Sequence, residues 1–118
     1  MCPTGADIQL APPGIWISDT TNNKNSGNGT TCGGNSAGDM VYRFTPTQSG
    51  TLNIELTGSY DKVMAVRDAC QEGGAERFCD TSTGMLSTTY AAQMGQSFHV
   101  VVSGLSGDEG SYELHLFY

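Results

Sequence analysis

The sequence has few charged residues and very few basic ones. Only 14% of its 118 residues are charged, whereas a typical globular domain has about 25%. The sequence has five basic residues and twelve acidic ones. The basic residues are too few to form the clustered basic patch that nucleic-acid binding needs. No apolar run approaches the roughly 18 residues of a membrane-spanning helix. These absences exclude a nucleic-acid-binding protein and a protein that inserts into a membrane through a helix.

The length and the glycine content limit the fold. A chain of 118 residues with 16 glycines fits one domain with an ordinary hydrophobic core. Abundant glycine and little charge favour strands and turns over long, salt-bridged helices. We therefore expect a single domain over residues 1–118. A long polar loop is expected at 19–39, because this segment contains no aliphatic residue larger than alanine.

Alternation of apolar and polar residues predicts strands along most of the chain. It is clearest at 40–44, 52–56, 98–102 and 112–118. Turn residues separate such segments at the spacing that is typical of an all-β sandwich or barrel. The sequence therefore predicts an antiparallel β-sandwich of about eight or nine strands. The inward-facing residues of five strands are expected to form its core: Tyr42, Phe44, Leu52, Ile54, Leu56, Met64, Val66, Phe98, Val100, Val102, Tyr112, Leu114 and Leu116.

The last two predicted strands fit a hairpin whose loop is 104–110. In that register Val100 lies opposite Leu114 and His99 lies opposite His115, so that one face is apolar and the other is mixed. The two histidines would then be neighbours on the solvated face. They could hold a metal ion, or they could simply be an exposed pair.

Four cysteines and few lysines fit an oxidising, extracellular setting. Four cysteines allow three pairings, and the sequence alone does not choose among them. Cys70 and Cys79 flank a short segment with two central glycines, which favours a local bridge and leaves Cys2 for Cys32. A zinc site would need a closer ligand pair such as C-x₂-C, which the chain lacks.

Three segments occur in an order that resembles the bacterial pre-peptidase C-terminal domain: DMVYRFT at 39–45, SGTL at 49–52 and GQSFHVVVSG at 95–104. Residues 59–67 resemble the central strand of that family, Cys70 and Cys79 resemble its disulfide-bridged version, and 110–114 resemble its final strand. The resemblance covers about 14–118. It implies a jelly-roll-like sandwich without catalytic activity, secreted beside a peptidase or within another surface protein. It also implies relatives, such as collagenase collagen-binding domains, that bind calcium and an extracellular polymer.

Acidic residues at the ends of strands are candidate calcium ligands. Calcium takes about six to eight oxygen ligands, which converging loops could supply. The alternative is that these aspartates cap turns and keep loops soluble. The candidates are Asp19, Asp39, Asp61 and Asp80.

Polymer binding would use aromatic side chains displayed on one face of a sheet. The candidates are Trp16, Tyr60, Tyr90 and Phe117, and the alternative is that they belong to the core. The sequence contains no G-x-S-x-G, H-E-x-x-H or P-loop pattern, so no catalytic residue is predicted. We expect a secreted or cell-surface accessory domain that binds an extracellular polymer or protein beside the other domains of its host, with calcium as the possible cofactor. The alternatives are a carbohydrate- or protein-binding module and a structural spacer or secretion-linked domain without a ligand.

Overall fold

The computed structural model describes residues 8–21, 40–68, 76–105 and 109–118. Within these ranges no helix is long and apolar enough to cross a membrane. The described strands are β1 (Ile8–Leu10), β2 (Gly14–Thr20), β3 (Met40–Pro46), β4 (Gly50–Gly58), β5 (Lys62–Arg67), β6 (Glu76–Ser82), β7 (Leu86–Ala92), β8 (Phe98–Gly104) and β9 (Ser111–Phe117).

The strands form two sheets that pack face to face. The five-stranded sheet has the order β1-β3-β8-β5-β6, and the four-stranded sheet has the order β2-β9-β4-β7. All pairs are antiparallel except β1 and β3, which run parallel. The predicted all-β sandwich of eight or nine strands is therefore confirmed, and the parallel β1–β3 pair is a feature that the sequence pattern did not indicate.

The core lies between the two sheets and contains the residues predicted for it. Leu52, Ile54, Leu114 and Leu116 are fully buried there. Tyr42 alone of the predicted set is only partly buried, and it packs against the edge of the cluster. Each fully buried aliphatic side chain contributes about 1.5–3 kcal/mol through removal of apolar surface from water. Alternation within strands therefore identified the residues that hold the sandwich together.

The predicted hairpin of the last two strands is wrong. Strand β8 lies in the five-stranded sheet between β3 and β5, whereas β9 lies in the four-stranded sheet between β2 and β4. The two strands therefore belong to different sheets. Val100 and Leu114 still both face the core, because the inner faces of both sheets line the same space. His99 and His115 are consequently not cross-strand neighbours.

The outward faces of the two sheets differ in exposure. At the centre of the five-stranded sheet, the outward residues Val63, Ala65 and Val101 have no exposed surface. His99 points to the same side and is 8% exposed, so the expectation that it lies in solvent is also wrong. In the four-stranded sheet, polar residues alternate with buried ones along β4 and β9. The accessible sheet face is therefore that of β2, β9, β4 and β7.

Two buried cations in β5 have local partners. The ammonium of Lys62, which is fully buried, donates to the main-chain carbonyls of Gly58, Tyr60 and Thr83 at 3.1, 3.1 and 3.2 Å. Burial lowers the pKa of Lys62, although the nearby Asp61 carboxylate acts in the opposite direction. Arg67 donates through Nε to Glu76 at 2.8 Å. Both cations are thus held inside the five-stranded sheet.

Candidate functional site

Three rings are stacked on the outward face of the four-stranded sheet. In the antiparallel pairing of β2 with β9, Trp16 lies opposite His115, and Phe117 is two residues further along β9 on the same side. The Trp16 and His115 ring centroids are 3.6 Å apart with planes 10° from parallel. The His115 and Phe117 centroids are 4.4 Å apart at 28°. We call Trp16, His115 and Phe117 the aromatic row.

Trp16 is the accessible end of the aromatic row. Strand β2 is the edge of the four-stranded sheet, so one indole face stacks on His115 and the other points away from it. Trp16 is 64% exposed, which is unusual for the largest apolar side chain in a small domain. Stacked and offset aromatic pairs are held by about 0.5–1.5 kcal/mol beyond simple burial, so stacking favours the orientation in which the indole lies on His115.

A glycine allows the two strands of the row to approach each other. Gly14 begins β2 opposite Phe117, with φ at 142°, a conformation that residues with a side chain rarely adopt. A Cβ atom at this position would clash with the carbonyl oxygen of Leu116. The glycine thus sets the pairing that brings Trp16 over His115.

Polar side chains of β4 support the row from its inner side. The His115 Nδ1 atom lies 3.8 Å from the Glu55 carboxylate. The Asn53 side-chain amide donates to the Phe117 carbonyl at 3.4 Å. Both contacts lie on the β4 side of the row, while the outer indole face remains accessible to a ligand.

An open groove continues from the row along β2, β9 and β4. Its volume is about 570 Å³. The Ser18 hydroxyl donates to the Glu113 carboxylate across the groove at 3.5 Å. Seven of the eight residues that line the groove carry a hydroxyl or a carboxylate, and the lining residues are Ser18, Asp19, Thr20, Thr57, Gly58, Ser111, Tyr112 and Glu113. The surface is therefore apolar at the row and rich in hydrogen-bonding oxygens beside it.

A pair of phenols lies at the inner end of this groove. The hydroxyls of Tyr42 and Tyr112 share a short hydrogen bond that connects the two sheets. Burial raises the pKa of both phenols. Their mutual hydrogen bond raises the pKa of Tyr112 further, but it lowers that of Tyr42 and so partly offsets the effect of burial there. The negative charge of Asp19 raises both pKa values. Both groups are therefore protonated at neutral pH, and neither is a base.

Two of the predicted ligand-binding aromatics lie in the interior. Tyr60 is 5% exposed and belongs to the core. Tyr90 stacks on Phe98 at 4.4 Å, and its hydroxyl donates to Asp68 at 2.9 Å. Burial, followed by that hydrogen bond, raises the pKa of Tyr90 to about 12. Only Trp16 and Phe117 of the four candidates are therefore on the outward face of a sheet.

Arg77 and Tyr90 both bind the carboxylate of Asp68. Arg77 donates through Nε at 2.7 Å, and this contact is the main reason why the pKa of Asp68 is lowered. The group lies in a second groove of about 390 Å³, between β6 and β7. Its charges are mutually compensated, so it connects the two sheets rather than leaving charge for a ligand.

The predicted calcium ligands are not grouped in the part of the chain that the structure describes. There, no three histidine, cysteine, aspartate or glutamate side chains are close enough to hold a metal ion. Asp19 and Asp80 accept hydrogen bonds from the next backbone amide, at 2.8 Å in each case, within strands β2 and β6. Asp61 precedes β5, and Asp39 lies outside the described residues. Calcium binding through these aspartates stays a prediction.

Of the cysteines, only Cys79 lies within the described residues. It is disulfide-bonded and lies on β6 opposite Ala65. Cys2, Cys32 and Cys70 lie outside those residues, so both predicted pairings remain predictions.

Solved structures share this architecture. The pre-peptidase C-terminal domain of the Bacillus anthracis collagenase superposes with a TM-score of 0.61 over 94% of both chains, at 13% identity. The chain has the fold of a pre-peptidase C-terminal domain. The family resemblance seen in the sequence is thus matched by the fold. PliG from Aeromonas hydrophila, a periplasmic inhibitor of g-type lysozyme, has a TM-score of 0.54 at 14% identity and covers 95% of this chain and 98% of its own.

No protein-family model matches the sequence, and no curated protein sequence does. The likeness is therefore one of three-dimensional structure, and identities of 13 and 14% establish the fold alone. These two structures are a domain of a collagenase and an inhibitor, so the fold serves small domains whose roles differ. The role of this chain therefore depends on the residues at its own surface.

The sequence pattern does not indicate His115 as a member of the site. The predicted hairpin pairs this residue with β8, whereas its cross-strand neighbour Trp16 lies on β2, nearly a hundred positions earlier in the chain. The alternation of Trp16 with Ile15 and Ile17 is the sequence signal for an exposed tryptophan. The half-buried isoleucines face inward, so the tryptophan between them faces outward.

Proposed function

We propose that the chain is a secreted, non-catalytic accessory domain that binds an extracellular polymer through the outward face of its four-stranded sheet. The aromatic row is the contact surface, and the adjoining groove supplies hydrogen bonds. The proposal is supported by one observation above all: a tryptophan that is 64% exposed and stacked on an imidazole.

Rigid, exposed aromatic rings suit a polymer ligand for a physical reason. Trp16 gains little from folding at its exposed position, but it can bury a large apolar face when a ligand stacks on it. Because stacking on His115 already favours one orientation of the indole, less side-chain entropy is lost on binding. A flat sheet face also accommodates an extended chain better than a compact small molecule, which favours a concave pocket.

The comparison of folds supports a non-catalytic role in this proposal. The pre-peptidase C-terminal domain is part of a collagenase, and PliG is an inhibitor. A secreted location fits the periplasmic setting of PliG and the cysteine content of this chain.

The test is retention on insoluble cellulose, chitin and collagen, with Trp16→Ala beside the parent chain. The substitution should weaken retention on the bound polymer about tenfold or more, as truncation of a central aromatic contact does. Met94→Ala is the matched control, because Met94 is a large apolar residue that is 69% exposed and lies outside the four-stranded sheet. Retention that is equal in all three proteins, or absent on all three polymers, would contradict the proposal.

A protein partner is the second candidate, because the fold is shared with a lysozyme inhibitor. An activity assay of g-type lysozyme in the presence of the chain separates the two candidates. Inhibition that survives Trp16→Ala, together with no polymer retention, would favour the second one.

A further inference from the structure

The basic residues in the described part of this domain lie on one of its two sheets. The described residues contain four lysines and arginines, namely Arg43, Lys62, Arg67 and Arg77. All four lie on strands of the five-stranded sheet. The four-stranded sheet, which displays the aromatic row, has no lysine or arginine in any of its strands.

The same four-stranded sheet does contain acidic residues. Asp19, Glu55 and Glu113 lie on β2, β4 and β9, and the net charge of the whole chain is −7. Glu113 is exposed, and its partner across the groove is the neutral hydroxyl of Ser18. No described lysine or arginine forms an ion pair with Glu113. An anionic polymer would therefore be repelled from this face, and a cationic one would be attracted.

The spacing of the aromatic and acidic groups suits a repeating chain. Ser18 is two residues from Trp16, or about 7 Å along the strand, and Glu113 lies directly opposite Ser18. A ring stacked on the indole therefore has a carboxylate close by in the strand direction. If every unit of a polymer carries an amino group, then an amino group lies near this carboxylate regardless of which unit stacks on Trp16. The indole face adds a favourable site for a nearby cation.

The lining of the groove favours a sugar chain over a peptide. Its side chains are mainly hydroxyl groups and carboxylates, which can donate to and accept from the many hydroxyls of a saccharide. We propose that the ligand is a polysaccharide with protonated amino groups, which stacks on Trp16 and pairs with Glu113. This inference rests on the proposed function.

The test compares two polymers that differ only in their amino groups. Chitosan oligomers carry free amines, and chitin oligomers of the same length carry neutral acetamides. Titration calorimetry is done under mildly acidic conditions with the parent chain, Trp16→Ala, Glu113→Gln and Asp80→Asn. Asp80 is the matched charge control, because it is exposed on β6 of the other sheet.

We expect the parent chain to prefer chitosan by about five-fold, the scale of an exposed charge contact. The preference should fall as salt rises from about 0.05 to 0.5 M, because added ions screen exposed charges. Glu113→Gln should reduce it towards equality, Asp80→Asn should leave it unchanged, and Trp16→Ala should weaken binding of both oligomers.

Each other outcome overturns a different statement. Equal binding of both oligomers that still depends on Trp16 refutes the amino-polysaccharide and leaves polymer binding intact. Equal losses in Glu113→Gln and Asp80→Asn would show attraction to the net charge of the protein, and this too refutes the inference. Binding of polylysine as tight as that of chitosan would favour a cationic peptide over a sugar chain. Failure to bind either oligomer or any insoluble polymer refutes both proposals.

Discussion

Replacement of Leu114 by alanine tests the packing of the sandwich at its centre. Leu114 lies on β9 between Ile17 of β2 and Leu56 of β4, and it has no exposed surface. Both neighbouring strands are hydrogen-bonded to β9, so they cannot move in to fill the space. We therefore expect a cavity, with a loss of about 2–5 kcal/mol in the free energy of unfolding, as for other buried Leu→Ala changes.

The loss converts to a shift that a thermal scan resolves easily. The entropy of unfolding is about 2.1 cal/mol/K per residue, or about 0.25 kcal/mol/K for the 118 residues of the chain. A loss of about 2–5 kcal/mol then lowers the midpoint by about 8–20 °C. Circular dichroism on heating measures this midpoint, and urea unfolding measures the free energy, with an unchanged m value if the denatured state is unaffected.

Met94→Ala is the matched control for this experiment. It removes a side chain of similar size from a position that is 69% exposed, where substitutions usually change stability by less than about 0.5 kcal/mol. If Leu114→Ala and Met94→Ala shift the midpoint by the same small amount, Leu114 is not in the core and the inward assignment of β9 is wrong.

Two further predictions concern tyrosine ionisation and disulfide pairing. Free tyrosine ionises near pH 10, whereas the pKa of Tyr42 and of Tyr112 is raised in the folded chain, so the folded state retains protons that the unfolded state loses. Stability should therefore fall as pH rises above about 10, and the fall should be shallower in Tyr112→Phe; parallel midpoint curves for the two proteins would contradict this. Peptide mapping by mass spectrometry without reduction should find Cys70 joined to Cys79, and a bridge from Cys79 to another cysteine would disprove that pairing.

The sequence was sufficient to identify the strands and their inward faces. Residues at every second position in β4 and β9 are buried, as the alternation predicts, because a strand between core and solvent must place apolar side chains on one side. The exposure of Phe117 relative to Leu116 follows from the same period. Each of these properties depends on residues that are adjacent in the chain.

The alternation pattern does not predict which strands pair with each other. The pattern of β8 and β9 fits a hairpin as well as it fits two strands in facing sheets, because in both arrangements the apolar sides line one core. The structure chose the second arrangement, and the proposed histidine pair does not form. Burial on both sides of β8 also made His99 an interior residue, although it occupies an outward position.

The sequence by itself determined an acidic all-β domain with a defined set of core residues and too little basic charge for nucleic acid. The tertiary structure alone decided that Trp16 stacks on His115 and that the described lysines and arginines all lie on the opposite sheet. The reason is physical: alternation is a local property of each strand, whereas a binding face is formed by strands that pair across long stretches of chain. That pairing is fixed by the packing of the whole core and by backbone hydrogen bonds, which the side-chain pattern of one strand does not encode.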